Sequence, residues 1–253
     1  AIAVLLAIVA PLANAESIAQ AQYETPTQRY GHFALGQPHE YARLAVTTDT
    51  GRRLVLQLPE DEVFEDLTPR LVKLAAEEPV ELLTIVSQRQ TGARLVLIRL
   101  NGDRLTTSAE SPAVGTPMRW LNPVGFADFD GDGRLDVASV TTPHIGGVLT
   151  LHHLQPPALV PFARALDVSN HRMGALEQQL AVIVQQPGLR PTLVVPDMAC
   201  QALHALRWEA PGQWHELADL QPLPGTVERL TPRPDGACAW LSDGRVLKIT
   251  LRP

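Results

Sequence analysis

The chain has 253 residues, of which 45% are apolar, and its formal charge at neutral pH is −6. This length is enough to bury a sizeable core, and this apolar content is typical of a globular protein rather than a disordered one. The acidic balance argues against non-specific nucleic-acid binding, which needs a basic surface, and against a polybasic contact with membrane lipids.

The N-terminal fifteen residues, AIAVLLAIVAPLANA, form an apolar run that ends in Ala-Asn-Ala. The run is too short to span a bilayer, and its ending matches the small-residue pattern of a signal-peptide cleavage site. We therefore expect a secretory signal over residues 1–15, one mature domain over residues 16–253, no membrane-spanning segment after cleavage, and a secreted or periplasmic location. A buried hydrophobic strand or helix is the alternative interpretation of this run.

Five pairs of short apolar runs, rich in β-branched residues, recur along the chain, and a tight turn divides each pair. The pairs occupy residues 41–57, 80–100, 135–154, 191–208 and 237–251. Four of the turns contain a glycine, which supplies the positive φ that hairpin turns need. The pattern predicts five β-hairpins. A helical period is not convincing in any stretch, and residues 67–77 are also interpreted as strand.

The spacing of the hairpins favours a β-propeller. Their second strands begin near residues 52, 93, 148, 201 and 245, and four-stranded repeats of about 40–50 residues are typical of propeller blades. We predict an all-β fold, a propeller of five blades with four antiparallel strands each. Four or six blades, or a β-sandwich, are the alternatives.

The remaining strands of this propeller are expected between the hairpins. The predicted outer strands are residues 63–69, 159–167 and 214–220. The fifth repeat has no outer strand of its own before the last residue, Pro253. Residues 18–26 are therefore expected to supply it and to close the ring.

Residues 128–136, DFDGDGRLD, place four aspartates within nine positions. Like charges this close repel, but carboxylates at alternate positions of a glycine-containing loop converge on one hard cation such as Ca²⁺. The predicted ligands are the carboxylates of Asp128, Asp130, Asp132 and Asp136 and the backbone carbonyl of Arg134. An EF-hand is excluded, because its twelfth position is Ser139 instead of Glu and the flanking residues are strand-like. An aspartate-rich turn without a metal is the alternative.

The stretch FADFDGDGRLDVASV, residues 126–140, resembles the calcium loop of FG-GAP and VCBS repeats, which form integrin-like β-propellers in many secreted bacterial proteins. The resemblance implies that the loop joins the inner strand of a blade to its second strand and that its calcium is structural. It also implies a binding or scaffold function toward a protein or carbohydrate ligand. Only one repeat carries the motif, since the matching stretch of the fourth, AVIVQQPGLRPTLVV, has no acidic residue.

An arginine lies at or just before each expected inner strand. The five are Arg29, Arg70, Arg119, Arg172 and Arg229. If they are equivalent, ring closure would place five cations around one mouth of the central channel and form an anion-binding site. The alternative is that each arginine makes an ion pair between blades.

Two other functions stay open from the sequence. A carbohydrate-binding propeller would repeat exposed aromatic residues at matching positions, and Trp120, Trp208, Trp214 and Trp240 do not match. A hydrolase or lyase site at the channel mouth would need an acid or base beside the arginines, where His171 and Glu228 are the candidates. The chain contains no nucleophile elbow, phosphate-binding loop, zinc pair or dinucleotide fingerprint.

The chain has two cysteines, Cys200 and Cys238. A secreted pair of cysteines often forms a disulfide. The predicted strands, however, place the two residues at opposite ends of equivalent strands, about 20 Å apart, and a disulfide needs Cα atoms within about 7 Å. The strand register therefore predicts no bond between them.

Overall fold

The computed structural model describes residues 16–216 and 222–251, and the described chain is all-β, with no helix. The expected signal over residues 1–15 lies outside the described residues. The strands are β1 (Ile18–Thr27), β2 (Glu40–Thr48), β3 (Arg53–Gln57), β4 (Glu62–Phe64), β5 (Arg70–Val72), β6 (Glu81–Gln88), β7 (Gly92–Asn101), β8 (Arg104–Glu110), β9 (Leu121–Ala127), β10 (Asp136–Thr141), β11 (Val148–Gln155), β12 (Ala158–Leu166), β13 (Val182–Val184), β14 (Thr192–Pro196), β15 (Leu203–Ala210), β16 (Gln213–Glu216), β17 (Val227–Arg233), β18 (Gly236–Leu241) and β19 (Val246–Thr250).

The strands form successive antiparallel units in which each strand pairs with the next one along the chain. Three units have four strands: β5–β8, β9–β12 and β13–β16. Two have three strands: β1–β3 and β17–β19. The first three units along the chain are linked by β4, which pairs with both β2 and β6, and by one parallel pairing, of Glu110 in β8 with Ala158 in β12.

All five predicted hairpins are confirmed, as β2–β3, β6–β7, β10–β11, β14–β15 and β18–β19. The turn at Gly92 shows why glycine is required. Its φ is +74°, and a Cβ there would lie 2.4 Å from the carbonyl oxygen of Thr116. The fourth turn has no glycine, and Cys200 itself adopts a φ of +55° there. Within the described residues, Cys200 and Cys238 are free thiols.

The expected ring closure by residues 18–26 is wrong in this structure. These residues form a strand, but β1 pairs with β2 over the register Ile18–Thr48 to Thr27–Glu40 and not with β19. The physical reason is proximity along the chain. A short connection separates β1 from β2, and bringing two strand ends together costs less conformational entropy when the loop between them is short.

The predicted outer strands have mixed outcomes. Residues 159–167 form β12 as expected, and residues 214–216 form most of β16, whereas residues 217–220 lie outside the described residues. The expected strand at 63–69 stops at Phe64, because the next two side chains, Glu65 and Asp66, turn into the interior and are buried there. Of residues 67–77, only β5 is strand.

The apolar core lies between the units as well as within them. Leu97 of β7 is fully buried in a cluster with Trp120, which precedes β9. A second cluster lies beneath the aspartate-rich segment and contains Phe129 with Val140, Leu149 and Leu151. The core therefore holds the second and third units together and supports the aspartate-rich segment from below.

Replacing Leu97 with alanine is expected to lower the free energy of unfolding by about 2–5 kcal/mol, because it removes buried methyl groups and leaves a cavity beside Trp120. Leu166→Ala is the matched control, since Leu166 also lies in a strand but is 68% exposed. The control should change the free energy of unfolding by less than about 0.5 kcal/mol. Urea denaturation measures both values, and equal losses in the two variants would contradict the assignment of Leu97 to the core.

Candidate metal centre

The aspartate-rich segment connects β9 to β10, which are antiparallel neighbours in the third unit. Phe129, between the first two aspartates, is 1% exposed. Phe129 is buried in the core below, whereas its neighbours Asp128 and Asp130 are half-buried. Asp136, the first residue of β10, is buried.

Three of the four aspartates converge. One carboxylate oxygen from each of Asp128, Asp130 and Asp136 lies within 4.8 Å of the other two. Ca²⁺ binds oxygen at about 2.3–2.6 Å, so two ligands on opposite sides of the ion lie about 5 Å apart. The spacing and the all-oxygen donor set therefore fit a calcium ion.

Backbone amides hold the loop in this shape. The amides of Gly131 and Gly133 donate to the two carboxylate oxygens of Asp128, at 2.7 and 2.9 Å, and the amide of Asp132 donates to Asp130 at 3.0 Å. Both glycines have positive φ, +80° and +86°, a conformation that other residues seldom adopt. These donors offset part of the repulsion between neighbouring carboxylates.

His153 is a further polar partner of the loop, and the sequence motif does not include it. It is the cross-strand neighbour of Asp136, and its Nδ1 lies 3.0 Å from Oδ1 of Asp136 and 4.0 Å from Oδ2 of Asp130. Its ring stacks on Phe162, with centroids 3.9 Å apart. Burial, with the charge of Asp130, raises the pKa of Asp136, and the hydrogen bond with His153 opposes that rise. The sequence signal that could have placed His153 here is the hairpin of β10 and β11. Counting outward from its turn along both strands brings His153 opposite Asp136.

Asp132 does not join the other three carboxylates. It is exposed, and its Oδ2 accepts hydrogen bonds from Nε and Nη2 of Arg134, at 3.0 and 2.7 Å. This contact lowers the pKa of Asp132. The same Asp-Gly-Arg sequence at 243–245 forms the same pair, with Arg245 Nε at 2.6 Å from Asp243. The pairing is therefore a property of the short sequence. The roles of Asp132 and of the Arg134 carbonyl as ligands stay predictions.

The five arginines predicted as an anion site occupy unlike positions relative to their strands. Arg70 begins β5, Arg229 lies inside β17, and Arg29 follows the end of β1. Arg119 precedes β9 by two residues and Arg172 precedes β13 by ten. Each of the five has its own contacts in the structure, and the shared anion site stays a prediction.

Four of these arginines contact acidic residues. The pairs are Arg29 with Glu60, Arg70 with Asp66, Arg172 with Glu228, and Arg229 with Glu177. Arg119 is hydrogen-bonded to the carbonyl of Met118. These contacts favour the alternative interpretation, ion pairing, over a shared anion site.

His171, one of the two residues considered for an enzyme site, is buried and pairs with the half-buried His144. Its Nε2 lies 2.9 Å from the carbonyl oxygen of Ala175, and its Nδ1 lies 2.7 Å from Nε2 of His144. A carbonyl only accepts, so His171 carries its proton on Nε2, and His144 donates to its Nδ1. The ring of Trp120 stacks against His144 and meets His171 edge-on. The other candidate, Glu228, has its carboxylate 3.7 Å from Arg172.

The tryptophans considered for carbohydrate binding differ in their surroundings. Trp120 is 1% exposed and donates its indole N–H to the carbonyl of Glu65 at 2.8 Å. Trp208, Trp214 and Trp240 are half-buried. Trp214 donates to the carbonyl of Arg164, and Trp240 lies under the guanidinium of Arg229. The four do not form a repeated exposed set.

The chain matches no protein-family model and no curated protein. The resemblance to FG-GAP and VCBS repeats thus depends on residues 126–140 alone. Among the described residues, no helix has the length and apolar character needed to cross a membrane.

Acidification should destabilise the protein through the histidine pair. Burial lowers the pKa of both His144 and His171 to about 4, whereas a histidine in the unfolded chain titrates near pH 6.5. From about pH 6.5 down to about pH 4 the unfolded chain binds protons that the folded pair excludes, so the free energy of unfolding falls over this range. Above pH 6.5 this contribution is fully present.

The variant His144→Gln tests this dependence, because its amide N–H can still donate to His171 Nδ1 but does not titrate. Urea unfolding at pH 7 and at pH 5 should show a smaller loss of stability for the variant than for the unmodified chain. The two proteins should differ little at pH 7. An equal loss in both proteins would show that His144 does not contribute to the acid sensitivity.

Proposed function

We propose that this chain is a calcium-stabilised β-propeller of five blades that acts as a secreted or periplasmic binding or scaffold module. The observation that carries the proposal is the convergence of Asp128, Asp130 and Asp136 on one point, in a loop whose sequence resembles the calcium loop of propeller repeats. The all-β composition of the described chain and its run of antiparallel units are consistent with blades.

The proposed blades follow the antiparallel units. The first is β1–β3, the next three are the four-stranded units, and the fifth is β17–β19. In this assignment β1 belongs to its own blade instead of closing the ring. The aspartate loop then joins the first strand of the third blade to its second strand, which is the position that the resemblance implies.

Calcium in this loop would have a structural role. The four aspartates and the Arg134 carbonyl provide five oxygen donors, and Ca²⁺ takes six to eight, so water would complete the coordination. When bound, the cation supplies positive charge that neutralises the acidic side chains and ties the start of β10 to the end of β9. His153 holds Asp136 from the side of β11. Asp132 would have to exchange part of its contact with Arg134 for the cation.

The ligand of the module is proposed to be a protein or a carbohydrate, bound by loops between strands. This part of the proposal depends on the resemblance of residues 126–140 to the calcium loop of propeller repeats. The acidic charge of the chain favours ligands other than nucleic acid.

Calcium is expected to raise the apparent stability of the protein, because a ligand that binds only the folded state stabilises it by mass action. At a free Ca²⁺ concentration one hundred times the dissociation constant, the gain is about 2.7 kcal/mol. Thermal melting with added Ca²⁺ and with a chelator measures the shift. A melting temperature that does not respond to the chelator would count against the site.

Two asparagine variants separate the site from a general charge effect. Asp130→Asn removes one converging carboxylate and should abolish most of the calcium-dependent shift. Asp243→Asn is the matched control, because Asp243 has the same local Asp-Gly-Arg pairing but lies outside the loop. If both variants kept the full response, the calcium-binding residues would have to lie elsewhere.

A further inference from the structure

A cavity of the described chain lies beside the aspartate loop. It has a volume of about 680 Å³, within the range of small-molecule sites, and is bordered by the loop on one side and by the second unit on the other. Leu74 and Leu100 come from the second unit, and Leu135 and Leu154 come from the third. The cavity is therefore an apolar groove between two units, and its wall includes residues of the candidate metal loop.

Charged residues of both signs line this groove. Arg99 is exposed at the end of β7 and Glu78 precedes β6. Neither makes an ion pair with another residue in the described ranges. Glu81 also lines the groove and accepts a hydrogen bond from Ser108. Arg134 adds a second guanidinium group to the wall, besides that of Arg99. Unpaired charges of opposite sign above an apolar floor complement a zwitterion with an apolar body.

The second guanidinium links the groove to the metal loop. Arg134 lines the groove while its Nε and Nη2 are held by Asp132. Asp132 is the one loop aspartate whose carboxylate does not join the converging three. A divalent cation in the loop would draw the charge of Asp132 toward itself and weaken its hold on Arg134. The freed guanidinium would then be available to a carboxylate in the groove.

We propose that this groove binds short apolar peptides with free termini and that calcium in the aspartate loop strengthens this binding by releasing Arg134. The peptide carboxylate contacts Arg99 and Arg134, its amino group contacts Glu78 and Glu81, and its side chains cover the leucines of the floor. The calcium dependence rests on the proposed function, whereas the groove itself does not. Coupling between two sites is reciprocal, so bound peptide must also strengthen calcium binding by the same factor.

The test is calorimetric titration of the full chain with leucyl-leucine, once in Ca²⁺ and once in chelator. Binding should be at least about fivefold tighter in Ca²⁺, the lower end of typical coupling between sites. Leucyl-leucine amide, which lacks the carboxylate, should bind more weakly and show no calcium dependence. In a separate titration, saturating leucyl-leucine should tighten calcium binding by the same factor.

Two arginine variants provide the controls. Arg134→Ala removes the guanidinium and should lose the calcium dependence of peptide binding. Arg245→Ala removes the same Asp-Gly-Arg pairing outside the loop and should behave like the unmodified chain.

Three results would overturn parts of the proposal, and they are distinguishable. If leucyl-leucine does not bind in either buffer, the groove is not a peptide site. If it binds equally in both buffers while calcium binds in a titration without peptide, the coupling is wrong and the calcium site stands. If calcium alone does not bind, the proposed function and the coupling both fail. The titration in chelator then still shows whether the groove binds leucyl-leucine.

Discussion

Antiparallel pairing between strands that are neighbours along the chain is the constraint on which the rest of this structure depends. The strands are short, from three to ten residues, and a single hairpin of this size cannot bury both of its faces. Each unit must therefore pack against another, as Leu97 and Trp120 do across the boundary between the second and third units. The interior that results is made of many small apolar contacts instead of one continuous sheet face.

This packing places acidic residues where the chain must stabilise them. Phe129 is buried below the aspartate-rich segment, so Asp128 and Asp130 are held together above it. Backbone amides of a glycine-containing loop and the imidazole of His153 offset part of their repulsion. Three carboxylates still converge in spite of these contacts. Their remaining negative charge makes the loop suitable for a cation.

Several buried polar groups outside the loop also have close polar neighbours. Glu65 contacts His32 at 2.6 Å and accepts a hydrogen bond from Ser87, and burial raises the pKa of its carboxyl group. His144 and His171 satisfy one another beside Trp120. Such groups are costly to bury without partners, so these contacts fix how neighbouring segments meet.

The sequence by itself determined the all-β class, the five hairpins and the loop in which carboxylates converge, because these features depend on residues close together along the chain. A period of two, glycine in the turns and alternate aspartates each act over a few positions. Only the tertiary structure decided that β1 pairs with β2, that His153 contacts Asp136 and that the five arginines have unlike neighbours. These outcomes depend on competition between partners distant in sequence or on exact strand register, and neither is encoded in a local pattern.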